Sequence, residues 1–76
     1  MLKMRACVLI RVLPPKGPTV LDAVKKIPEA KSAYFVFGRY DIVAFVEAPS
    51  YDALSKLSNK LHAIAGTKST ETLIEG

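Results

Sequence analysis

Residues 4–13, MRACVLIRVL, constrain the fold more than any other segment. Met4, Ala6, Val8, Ile10 and Val12 make one wholly apolar face at period two, the spacing of a β-strand. The alternate positions include Cys7, Leu9 and Leu13, so the second face is also largely apolar. A strand of this kind belongs inside a sheet with something covering each side. Pro14 and Pro15 end it.

Turn signals divide the rest of the chain. Lys16, Gly17, Pro18 and Thr19 lead into Val20, Leu21, Val24 and Ile27, which is helical spacing. Thr19 and Asp22 are placed for a capping box, and Pro28 stops the run. Residues 31–37 are rich in aromatic and strand-favouring side chains and are expected to form a strand. Gly38 and Arg39 make the tight turn of a hairpin, with a further strand over residues 40–47. Pro49 and Ser50 open a second helix, with Ser50 as N-cap and Asp52 favourably placed in its first turn. Its apolar stripe is Leu54, Leu57, Leu61 and Ile64; Gly66 closes it, and residues 67–74 form the last strand. The order βαββαβ is the ferredoxin-like α+β pattern, a four-stranded antiparallel sheet with two helices on one face. Segments 27–32 and 64–69, IPEAKS and IAGTKS, are similar, and each joins a helix end to a strand start. Two βαβ halves account for such a repeat.

Parity assigns the faces. With Phe37 opposite Tyr40 or Ile42, Phe35, Phe37, Ile42, Ala44 and Val46 share a side and fit under the helices. The opposite side carries Cys7, Leu9, Leu13, Tyr34, Val36, Val43 and Phe45, too apolar for a solvated face. The expected cover is a second copy packed sheet to sheet, with Leu9, Tyr34, Val36, Val43 and Phe45 at the dimer interface. Size points the same way. At 76 residues the chain is a single domain over residues 1–76, and one core this small leaves a narrow stability margin. One cysteine excludes an internal disulfide, and one cysteine with one histidine, His62, cannot supply a four-ligand zinc site. No cofactor is implied.

The function classes narrow further. No apolar run is long enough for a membrane span or a signal peptide, and with a lone free cysteine this leads to a cytoplasmic expectation. The net charge of +4 comes from dispersed lysines and arginines with no dense basic block. Sequence-specific nucleic-acid binding is therefore not expected; any DNA binding should be weak and fall steeply with salt. Tyr34 lies on the opposite face from Phe35 and Phe37, among apolar neighbours, which disfavours an RNA-binding sheet. Catalysis has little to build on. His62 reads as a helix-flank residue, and Cys7 as a small buried hydrophobe. Asp41 and Glu47 are roughly 20 Å apart along one strand, too far for a carboxylate pair.

Two segments stand out chemically. The hairpin Gly38, Arg39, Tyr40 and Asp41 combines exposed backbone groups with both charge signs and an aromatic wall, which suits a zwitterion. A plain hairpin turn is the alternative. Asp41 is expected to be exposed and dispensable for folding. In the last strand, Lys68, Thr70 and Thr72 alternate onto one side, and their hydroxyls suit either a polar ligand or an ordinary edge strand.

These residues carry a resemblance. The opening strand, VLDAVKKIPEAKSAYFVFGRYDIVAFVEAPSYDAL from position 20, and TKSTETLI from position 67 together resemble the effector (RAM) domain of the Lrp/AsnC, or feast/famine, regulators. The most specific pieces are Ile27-Pro28 with Ala33-Tyr34, Gly38-x-Tyr40-Asp41, and Ser69-Thr70-x-Thr72. The resemblance implies sheet-paired dimers in a dimeric α+β-barrel arrangement that assemble into higher oligomers, octamers among them. It also implies a free amino acid or related small molecule bound between dimers. Gly38, Arg39, Tyr40 and Asp41 would contact its amino-acid moiety, and Ser69, Thr70 and Thr72 would come from a facing subunit. Arg39 stands where many members carry an acidic residue. Full-length members add an N-terminal helix-turn-helix domain; Met1 lies almost directly before the first strand, so a stand-alone effector domain is expected, with full-length members as candidate partners in transcriptional regulation of amino-acid metabolism. The competing reading is a dimeric α+β-barrel enzyme acting on a small molecule.

Overall fold

The computed structural model describes residues 3–75. Six elements follow the expected order: β1 (Met4–Val12), α1 (Gly17–Lys25), β2 (Ala30–Phe35), β3 (Ile42–Ala48), α2 (Tyr51–His62) and β4 (Thr67–Ile74). The sheet order is β2-β3-β1-β4, every neighbouring pair antiparallel. The two strands with the strongest apolar character, β1 and β3, occupy the centre, and β2 and β4 form the edges.

The face predicted for the helices carries the core. Val8 and Ile10 of β1 and Ile42 and Ala44 of β3 are fully buried with Val20 and Val24 of α1 and Leu61 of α2. α1 packs chiefly on β2, and α2 chiefly on β4. Ser50 caps α2 as expected, its Oγ accepting from the Ala53 N–H at 3.1 Å, with Asp52 in the first turn. α1 differs. It begins at Gly17 with Lys16 as N-cap and no side-chain cap bond, so the Thr19–Asp22 capping box does not form. Pro18 explains the earlier start. Its fixed φ suits the first helical positions, where its missing N–H costs nothing.

The hairpin also differs from the expected one. β2 ends at Phe35, paired with Ile42, and Val36 N–H donates to the Asp41 carbonyl at 2.9 Å, leaving a four-residue loop over 37–40. Phe37 is therefore not under the helices but fully exposed on the loop. Phe35 keeps the helix side but is half-exposed on its edge strand, its ring against Gly17 at the start of α1. The apolar pattern through Phe37 imitates a longer strand, but the main-chain pairing ends with the Val36–Asp41 bond.

Gly66 joins α2 to β4 at φ +101°, outside the range that L side chains normally take. A Cβ there would lie 2.8 Å from the Lys16 Cβ and 3.1 Å from the Val20 Cγ2, so the turn is pressed against the start of α1. Its carbonyl also accepts from Leu13 N–H at 2.8 Å. Gly66→Ala is expected to destabilise the fold by about 1–3 kcal/mol. A urea midpoint equal to that of the wild type would contradict this close approach.

Candidate functional site

The open face of the sheet is built by register. Tyr34, Val43, Leu9 and Glu71 form one cross-strand row, and Ser32, Phe45, Cys7 and Leu73 the next. Leu9, Tyr34, Val43 and Phe45 thus share a face as expected, while Val36 lies one residue beyond β2. The Tyr34 and Phe45 rings stack obliquely at 6.2 Å between centroids and, with Leu9, leave Val43 buried. Tyr34, Phe45 and Leu73 remain about half exposed. Leu73 was missed in the sequence because the facing of an edge strand is undefined until its partner is known. Beside these residues a trough of about 480 Å³ runs between Cys7, Phe45, Leu73 and Ile74. Its charged lining is Arg5, Lys31, Glu47 and Glu75, with Arg5 paired to Glu75 at 3.0 Å. Cys7 is half-buried, and that burial raises its pKa, which disfavours the thiolate.

At the other end of this face the hairpin meets β1 and β4. Continuing the β1–β3 register would place Val12 opposite Tyr40. Instead the Val12 N–H donates to Asp41 Oδ2 at 2.9 Å, and Asp41 N–H donates to the Ile10 carbonyl at 2.9 Å. A carboxylate therefore substitutes for the next main-chain acceptor and closes the ladder. Asp41 is exposed as expected, yet it is bonded into the fold. Past it, Gly38 turns at φ +118° with open space where a Cβ would stand, and Arg39 is exposed.

The last-strand residues divide between the two faces. Thr70 and Thr72 pair with Ile10 and Val8 and so lie on the helix side, where Thr72 Oγ1 and Ser58 Oγ are hydrogen-bonded at 2.7 Å. Ser69 pairs with Arg11 on the open side. A bulge between Arg11 and Val12 leaves Lys68 without a partner on β1.

The β4 residue that reaches the hairpin is Glu71. Its Oε1 accepts from the Tyr40 hydroxyl at 2.6 Å. That bond, followed by desolvation and the Glu71 charge, raises the Tyr40 pKa; Arg39 and Arg11 act in the opposite direction. Two carboxylates and two guanidiniums therefore gather at one end of the sheet, their formal charges balanced. Each carboxylate has a second oxygen outside the bonds described. Carboxylates suit an ammonium and guanidiniums suit a carboxylate, the two ends of a zwitterion. Sequence reasoning skipped Glu71 because the pairing that puts it within reach of Tyr40 spans 31 positions along the chain. Among the described residues there is no group of three or more His, Cys, Asp or Glu side chains that could hold a metal, and no helix long and apolar enough to cross a membrane.

Fold and site together describe a small ferredoxin-like domain of the effector-binding kind. The model of the Lrp/AsnC ligand binding domain matches residues 5–75, and the chain belongs to that family, which is regulatory. Solved structures agree. TTHA0845 from Thermus thermophilus is 28% identical, with a TM-score of 0.91 over 96% of this chain and 92% of its own. The hypothetical protein PHS023 from Pyrococcus horikoshii is 27% identical, with a TM-score of 0.87 over 96% and 89%. AsnC of E. coli is 32% identical, with a TM-score of 0.87 over 95% of this chain but only 50% of its own, so the chain corresponds to half of that protein. No curated protein sequence matches the chain.

Because Asp41 holds the Val12 N–H, Asp41→Ala is expected to lower stability by about 0.5–1.5 kcal/mol. Asp41→Asn, which keeps an acceptor oxygen, should lose less. Equal urea midpoints for wild type and Asp41→Ala would show that this bond contributes nothing.

Proposed function

We propose that the protein is an amino-acid-responsive effector domain that works as an oligomer. Two copies pair through the open sheet face around Leu9, Tyr34, Val43 and Phe45, and such dimers join into a larger even-numbered assembly, an octamer on family grounds. A free amino acid binds at Gly38, Arg39, Tyr40 and Asp41, where the hairpin of one dimer meets Ser69, Thr70 and Thr72 of the next. In this reading the protein influences transcription of amino-acid metabolism through full-length family members that carry a DNA-binding domain.

The observation that carries the reading is the gathering of Asp41 and Glu71 with Arg11 and Arg39 at the hairpin end of the sheet. Opposed charges gathered at the end of a sheet suit a ligand with both charges on one carbon. Membership of a ligand-binding-domain family supports the same assignment. The unsupported apolar face explains why the domain would act as an assembly, since burying it contributes roughly 25 cal/mol per Å² before association costs.

A ligand that binds only the native state stabilises it by about 2.7 kcal/mol at a hundredfold excess over Kd. For a domain of this size that shifts Tm by on the order of 10 °C. One or a few of the twenty standard amino acids are expected to give such a shift, and sedimentation should show the larger assembly favoured in their presence. No shift with any of them would remove the amino-acid reading. A shift without change in assembly would remove the site between dimers.

A further inference from the structure

The four-residue hairpin loop needs anchoring if it is to bind anything tightly. Its tip is exposed from Phe37 to Arg39, and Gly38 adds backbone freedom. Three hydrogen bonds fix its base: Val36 N–H to the Asp41 carbonyl closes the loop, and Asp41 N–H to the Ile10 carbonyl and Val12 N–H to Asp41 Oδ2 tie it to β1. Among the described residues the bond from Tyr40 to Glu71 is the one that carries the loop across β1 to the edge strand. Two strand spacings are about 10 Å, a span that needs side chains as long as tyrosine and glutamate.

Glu71 is otherwise an odd choice. It lies on the open face opposite Leu9 and two residues from Leu73, where an apolar side chain would extend the hydrophobic surface. A carboxylate is better explained there by its partner, and at 2.6 Å the bond is a short, charge-assisted one. Arg11 lies on the same open face one row from Glu71, and Arg39 adjoins Tyr40 in the loop, so the strap is embedded in the charges of the proposed site.

We propose that Tyr40 and Glu71 form a strap that fixes the hairpin against β4 of its own protomer, so that this half of the effector site is preorganised before dimers meet. Glu71 is then a positioning residue, acting on the effector through Tyr40. The inference rests on the amino-acid-binding reading for its effect on affinity, but not for its effect on the hairpin. Holding a loop in its bound conformation raises affinity by removing the ordering cost from the binding step.

The test combines amide hydrogen exchange of residues 38–40 in effector-free protein with calorimetry, using as probe the amino acid that gives the largest thermal shift. Tyr40→Phe and Glu71→Ala should each speed exchange at the hairpin several-fold and weaken binding by about tenfold. The double variant should be no worse than either single one, the mark of two groups acting as a unit. Glu71→Gln, which still accepts from the phenol, should recover most of both properties. Unchanged exchange, or additive losses of affinity in the double variant, would overturn the strap. If the wild-type protein binds none of the twenty amino acids, the amino-acid reading fails, and the strap is decided by the exchange rates alone.

Discussion

β1 is hydrogen-bonded along both edges and apolar on both faces, and the remaining architecture follows from satisfying it. Its edges take β3 and β4, which pushes β2 to the outside and sets the order β2-β3-β1-β4. One face, through Ala6, Val8 and Ile10, is buried beneath the two helices. The other, through Cys7 and Leu9, has only its neighbours in the sheet. The same strand that centres the core therefore leaves an apolar surface around Tyr34, Phe45 and Leu73, and association is the simplest way to cover it.

The end of that strand also places the candidate site. The β1–β3 ladder runs out at Ile10 and Ile42, and Asp41 takes the next free N–H with its side chain. Main-chain pairing gives way to side-chain pairing at this point, so charged groups collect where the sheet stops. Arg11 and Glu71 join them because they sit at the same end on the open face. Structure and the proposed ligand chemistry share the same residues here. Asp41 both closes the sheet and belongs to the proposed effector site.

Much of the fold was legible because it is written in local signals. Pro14, Pro28 and Gly66 mark ends, Ser50 announces α2, and period-two alternation sorts Ala6, Val8 and Ile10 from Cys7 and Leu9. Where expectations failed, a tertiary choice intervened. Phe37 continues the pattern of β2, but the ladder stops before it. Thr19 is a good capping residue, yet Pro18 starts the helix sooner. The site was half legible. The hairpin residues Gly38 to Asp41 were singled out by composition and family resemblance. The division of Thr70 and Thr72 from Ser69, and the reach of Tyr40 to Glu71, depend on the β1–β4 register and its bulge, which no local pattern encodes.

The central claim is that the open face of the sheet is an assembly surface, since the proposed effector site between dimers depends on it. Light scattering of the purified protein at micromolar concentration tests this most directly. The account predicts a mass that is an even multiple of 8.3 kDa. A sharp single-chain mass across that concentration range would contradict it.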